Sequence, residues 1–427
     1  MRYSRIVPLH DVDGFKARAV LWASQFRHAV CLDSNSHRQK YSSFDFLIAA
    51  DALDWVRSGF DGAFKKLEDF HLGHGDWSFG FLGYDLKNGL EDLHSGQPLT
   101  VGFPDLEFFR PRRLMILRGD SLELLYFPDD LPLASADVDQ ILSMPLPLPS
   151  SPGLAPRPKI SRSQYLERVA EMQERIALGD IYEANFCMEF TAEGDLDPVG
   201  TYLSLNQISS APFSAFLRMG ELFLMSASPE RFLRKEGDKC ISQPIKGTAP
   251  RHPDHAIDSA NAQRLSADPK ERSENIMIVD LVRNDLSRTA DKGSVAVEEL
   301  CGVHTFKQVH QLISTVTSRL RSGVSAFEVL QTTFPMGSMT GAPKISAMKI
   351  IDALEPSRRG IYSGAVGYLT PECDFDFNVV IRSIAYDCES KSASFHVGSA
   401  ITHLSDPMRE YDECMVKASA MMRVLGG

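Results

Sequence analysis

Residues 240–248 read CISQPIKGT, and they follow LFLMSASPERFLR at residues 222–234. Each segment carries an apolar run into polar residues and a turn, the pattern of a strand ending at an accessible site. Glu230 and Lys246 therefore stand at strand ends, with Lys246 between a strand and a glycine turn at Gly247. A lysine so placed can be held by a pocket instead of by solvent. At a reference pKa of roughly 10.4, only about one lysine in 2,500 is neutral at pH 7, so a nucleophilic role requires burial or a neighbouring cation.

Downstream, DPKERSENIMIVDLVRNDL (268–286) opens with Asp268 as N-cap, Pro269 at the first helical position and Glu271 two residues on. Glu271, Glu274, Ile278 and Leu281 then share one stripe, so a face that begins with two carboxylates continues toward the core. The chain's end repeats the device: Ser405-Asp406-Pro407 starts a helix that sets Glu410, Glu413 and Lys417 on one face. Two acidic pairs spaced i, i+3, without histidines, offer the hard oxygen ligands that suit Mg²⁺. Acids in a first helical turn also favour the helix dipole and close capping boxes, which accounts for Glu271 better than for Glu274.

Between these segments lie glycines 337, 341, 360, 364, 367 and 398, and GSAI (398–401) can offer successive N–H groups to an anion. Arg382 ends a strand-like run and can form a bidentate pair with a carboxylate. No GxxxxGK[ST] or GxGxxG follows a strand, so nucleotide binding is not indicated. Upstream, ISRSQYLERVAEMQERIALGD (160–180) predicts an amphipathic helix through Tyr165, Val169, Met172 and Ile176, ended by Gly179. IYEANFCMEF (181–190) follows as a strand.

Residues 1–143 mix strand-like runs (HAVCLDS, FDFLIAA, SFGFLGYDL, LELLYF) with a helical pattern near 51–70, one α+β unit. The proline-rich MPLPLPSSPGLAPRPK (144–159) cannot be helical and reads as a linker to a second domain at 160–427, or as a long surface loop. With 427 residues, 43% of them hydrophobic, the chain can bury a large core. A net charge of −11 argues against nucleic acid or anionic membrane as partner. Seven scattered cysteines with no CxxC spacing indicate neither a disulfide framework nor a zinc site and fit a reducing cytoplasm. No signal-peptide core or run of ~20 apolar residues is present, so a soluble protein is expected.

SPERF (228–232), PIKGT (244–248), ERSENIMIVDLVRNDL (271–286), TGAPK (340–344), RGIYSGAVGYL (359–369), the arginine of VVIRS (379–383) and SDPMREYDE (405–413) occur in one order along the chain. That order and spacing resemble the chorismate-utilising enzymes, the family of anthranilate synthase component I. CLDSN (31–35) followed by SSFD (42–45) extends the likeness into the amino-terminal unit. The resemblance implies a two-subdomain α+β (α/β) fold, with large antiparallel sheets flanked by helices, that binds chorismate and Mg²⁺. Members forming anthranilate, isochorismate or salicylate carry alanine where Lys246 stands. Lysine is the pattern of those making 4-amino-4-deoxychorismate, a transferase step toward 4-aminobenzoate and folate.

Carried over motif by motif, the likeness implies Lys246 as a covalent nucleophile at ring carbon C2 and Glu230 as general acid for the departing C4 hydroxyl. It implies substrate binding by Thr248, Tyr362, Gly364, Arg382, Gly398, Ser399, Ala400 and Lys417. Glu274 and Glu413 are expected to hold the metal, with Glu271 and Glu410 close behind. Three departures stand out: Gln311 where many members have histidine, Glu183 where water-adding members have lysine, and GSAI for a more glycine-rich GAGI. No GxCxG-type glutaminase nucleophile is present, so ammonia is expected from a separate glutamine amidotransferase subunit in a heterodimer. Ser34 aligns with the pocket that holds tryptophan in relatives, and a surface turn is the alternative. Two other readings are set against this one. An anthranilate-forming enzyme is disfavoured by Lys246, and a non-catalytic ligand-binding subunit by the intact Lys246, Glu230 and acidic helices.

Overall fold

The computed structural model describes residues 1–37, 40–307 and 309–426. Among these residues the strands join in one antiparallel hydrogen-bonded network of 20 strands, with helices packed on its faces. The network runs through both halves of the chain: His28–Asp33 pairs with Phe213–Met219, and Ser78–Leu82 pairs with Ala365–Leu369. The proline-rich 144–159 segment is tied down by backbone bonds from Ser150 to Gly200, Leu154 to Leu425 and Lys159 to Glu189.

The helices form where caps and periodicity place them. Arg162–Ala177 starts with a capping box between Ser161 and Gln164 and buries Tyr165, Val169 and Met172 against Phe186 and Phe190. Burial of each such side chain is worth roughly 1.5–3 kcal/mol. Pro269–Ser287 begins where Asp268 accepts from the N–H groups of Lys270 and Glu271, and packs Ile278, Val279 and Val282 against Phe327 and Leu330. Pro407–Gly426 begins where Asp406 accepts from Met408 and Arg409.

Two local expectations change. Residues 51–58 are not helical: they extend the Phe46–Ser58 strand along Leu106–Arg118, with burial alternating between the two faces. Gly247 does not end a strand. It lies inside Ile245–Pro250 at φ +86°, where the pairing slips between Lys246 opposite Leu312 and Thr248 opposite Gln311. A glycine in the left-handed region that inserts one residue into a ladder is a β-bulge, which re-aims the residue before it. Among the described residues, no helix is long and apolar enough to cross a membrane.

Candidate active site

The bulge turns Lys246 toward a cavity of about 450 Å³, a volume suited to a small ligand. Lys246 Nζ stands 3.1 Å from Oε1 of Glu183, the first residue of the Glu183–Glu193 strand. Burial alone would lower the lysine's pKa, but Glu183 outweighs it, helped by Glu274 and Glu230, and the ammonium is held above its ordinary value. Of the two activating conditions named from sequence, burial or a neighbouring cation, burial is met, but the carboxylates around the lysine outweigh it and keep the group charged.

Glu230, in the turn between Leu222–Ser228 and Arg231–Glu236, lines the same cavity. Burial pushes its carboxyl up to about 7, against the pull of a hydrogen bond from Ser338 and the charge of Lys246. At that value about half of the groups keep their proton at pH 7, the poise a general acid requires.

The two acidic helices meet across the cavity, where Lys270 Nζ lies 3.2 Å from Glu410 Oε1 and 3.7 Å from Glu274 Oε1. Ser399 donates its hydroxyl proton to Glu410. Lys417 pairs with Glu413 at 2.6 Å and donates to the Gly398 carbonyl at 2.9 Å. Gly247 lets the Pro269–Ser287 helix close in, because a Cβ there would stand 2.9 Å from Glu271 Oε2. Among the described residues, no three His, Cys, Asp or Glu side chains form a ready metal cage. The donor set nevertheless fits a hard cation. Among the described residues Glu274 Oε1 is buried without a hydrogen-bond partner, and burial pushes that carboxyl up to about 7. With Glu230 protonated, five carboxyl groups (Glu183, Glu271, Glu274, Glu410, Glu413) face four cationic side chains (Lys246, Lys270, Arg382, Lys417), an excess of one that another cation would offset.

Arg382 also lines the cavity, at φ 53°, an uncommon conformation for a side chain other than glycine. Among the described residues its guanidinium makes no ion pair or hydrogen bond, leaving a half-buried cation free for an anion. Tyr362 stacks on His396 with ring centroids 4.9 Å apart. Gly398, Ser399 and Ala400 run within the Ser392–Thr402 strand opposite Cys187, Phe186 and Asn185. They offer one strand edge, not a turn of consecutive N–H groups. Thr248 lines the cavity beside Lys246.

Gly364 is not among the lining residues. A Cβ there would stand 2.1 Å from the Leu82 carbonyl, so this glycine serves close strand packing. Gln311 faces the cavity with its buried Oε1 unpartnered among the described residues, while adjacent His310 turns to Asp258 and Thr305, as alternation along a strand requires. Ser34 lines a separate cavity of only about 40 Å³, where its Oγ is buried and unpartnered among the described residues. Sequence reading passed over Ser338, Lys270, Asn185 and His396 and noted Glu183 only as a departure. Of these, Ser338 sits beside TGAPK, Lys270 beside Glu271 and His396 two residues before Gly398, positions that adjacency to a motif alone could have flagged.

Residues 25–423 match the family described as chorismate binding enzyme. Aminodeoxychorismate synthase of Streptomyces griseus is 37% identical over 390 residues, 87% of this chain and 53% of that protein. The chain thus spans about half the length of that relative. Aminodeoxychorismate synthase component 1 of Klebsiella aerogenes is 36% identical, over 83% of this chain and 78% of its own. Among solved structures, anthranilate synthase component I from Streptococcus pneumoniae TIGR4 superposes with a TM-score of 0.78 at 26% identity, covering 91% of this chain and 95% of that one.

Proposed function

The chain belongs to the family of chorismate binding enzymes, and from that premise we propose that it converts chorismate and ammonia to 4-amino-4-deoxychorismate and water. The observation that carries this reading is Lys246, set by the Gly247 bulge into one cavity with Glu230 and both acidic helices. The resemblance of PIKGT to the lysine-bearing branch supports the C4-aminating product over anthranilate.

In this reading Lys246 first passes its proton to Glu183, at 3.1 Å, and then adds to C2 of the ring diene. The double bonds shift, and the C4 hydroxyl leaves as water with the proton of Glu230. Ammonia adds at C4 and returns a proton to Glu230. The reverse shift expels Lys246, which recovers its proton from Glu183. Arg382 and Tyr362 hold substrate carboxylate oxygens, helped by the Ser392–Thr402 strand edge.

Glu274 and Glu413 would hold Mg²⁺, with Glu271 and Glu410 beside them. Bound at the ring carboxylate, that ion would draw electron density from the diene. Ammonia is supplied by a separate glutamine amidotransferase subunit, a reading supported by the name component 1 on relatives of this length. Seven unpaired cysteines support a reducing cytoplasm.

The test incubates the protein with chorismate, Mg²⁺ and an ammonium salt. 4-Amino-4-deoxychorismate is the expected product, and quenched enzyme should show a chorismate-derived mass on the Lys246 peptide. Fluorescent anthranilate as the sole product, from wild type, would overturn the reading. Lys246→Ala is expected to abolish the adduct and shift product toward anthranilate.

A further inference from the structure

Ser338 Oγ donates to Glu230 Oε1 at 2.6 Å, a length typical of a hydroxyl bound to a carboxylate. Both side chains are buried, and both line the cavity that holds Lys246. The serine is presented rigidly. Its turn, Gly337–Met339, is closed by backbone bonds from Met339 to Met336 and from Thr340 to Gly337. Arg359 clamps the Met339 carbonyl at 2.6 Å. Gly337 allows the turn to lie on the Pro269–Ser287 helix, since a Cβ there would meet Leu281 at 2.7 Å.

The charged groups around Glu230 are few. Lys246 faces it from the Ile245–Pro250 strand, and the Ile245 N–H donates to it. Arg231 is engaged by Asp376 at 2.9 Å, and Asp285, from the helix behind, by Lys344 at 2.6 Å. Ser338 is thus the neutral group that bears most directly on the carboxyl.

We propose that Ser338 is a positioning residue for Glu230: its hydroxyl fixes one carboxyl oxygen, so the transferable proton rides on the other, and it stabilises the carboxylate left after transfer. Ser338 makes Glu230 a stronger acid than its burial would allow, while leaving it protonated near neutrality. The catalytic consequence rests on the reading of Glu230 as the acid in the proposed reaction. The hydrogen bond and its effect on titration do not.

The test is a carboxyl titration of protein labelled with [δ-¹³C]glutamate, followed by ¹³C NMR, with the Glu230 signal assigned by its loss in Glu230→Gln. In Ser338→Ala the Glu230 midpoint is expected to move to higher pH, with Ser338→Thr staying close to wild type. The kinetic counterpart is a lower kcat at unchanged KM for chorismate, with the basic limb of the pH profile displaced upward in Ser338→Ala. A Glu230 midpoint that does not move in Ser338→Ala overturns the inference. If Ser338→Ala does not fold, Ser338→Cys, a weaker donor, should give a smaller upward displacement, and no displacement there overturns it equally. A displaced midpoint in a protein whose wild type leaves chorismate untouched would refute the proposed reaction and keep the positioning role.

Discussion

Lys246 Nζ and Glu183 Oε1 stand 3.1 Å apart, and the second oxygen of that buried carboxylate has no hydrogen-bond partner among the described residues. The pair keeps the lysine charged at rest and also supplies the nearest acceptor for its proton. In the proposed reaction a nucleophile held as ammonium must be uncovered before it reacts, and Glu183 would exert that control.

Replacing this acceptor should separate the two roles. Glu183→Gln keeps the shape and removes the charge, and turnover at pH 7 is expected to fall about 10²–10⁴-fold, the usual range for a lost acid or base. Because Glu183 is the strongest group raising the Lys246 pKa, the lysine in the variant should titrate at lower pH. The deficit should then shrink as pH rises. Rates measured from pH 7 to 10 check this, and a deficit constant across that range would remove Glu183 from the proton path.

Glu230 has a consequence for folding that does not depend on catalysis. Its folded-state pKa is raised from the ordinary 4.5 to about 7 by burial. Its protonated form is favoured by folding, so this stability is fully present below about 4.5 and is lost as pH rises through about 7. At ~1.36 kcal/mol per tenfold change in proton affinity, the loss is about 3 kcal/mol. Glu230→Gln cannot ionise and should lack that drop. Urea unfolding at pH 5 and pH 8 should show wild type losing more stability than the variant, and equal losses would contradict the raised pKa.

Gly247→Ala tests the bulge. A side chain at φ +86° costs roughly 1–2 kcal/mol, and the new Cβ would stand 2.9 Å from Glu271 Oε2. The expected result is a stability loss of about that size in denaturant titration, together with weaker Mg²⁺ binding by calorimetry as Glu271 is displaced. Unchanged stability and unchanged affinity would mean that the strand tolerates a residue there.

How much of this was legible in sequence differs by element. The acidic helices could be read because an Asp-Pro start and i, i+3 spacing are local signals, and Asp268 and Asp406 do cap them. The Gly247 bulge could not be distinguished from a turn, since a glycine at positive φ serves both. Glu183 lies 63 residues from Lys246, so their contact depends on sheet register, which no local periodicity encodes. Residues 51–58 misled because a helical reading there ignored the alternation that their pairing with Leu106–Arg118 demands.

The cavity at Ser34 leads to the last expectation. It measures about 40 Å³, whereas ligand pockets begin near roughly 300 Å³. Its wall is braced by the buried pair Lys16–Asp33 at 2.9 Å and by Asn35, which donates to Asn206, Ala211 and Ser214. Opening room for an indole would mean breaking that network, and a buried ion pair that loses one partner costs about 3–5 kcal/mol. L-Tryptophan is therefore expected to leave thermal stability unchanged. A true ligand at 100 times its Kd would add about 2.7 kcal/mol, a shift easily read by calorimetry. A rise in Tm that saturates with tryptophan, and is lost in Ser34→Leu, would show that the pocket opens to admit it.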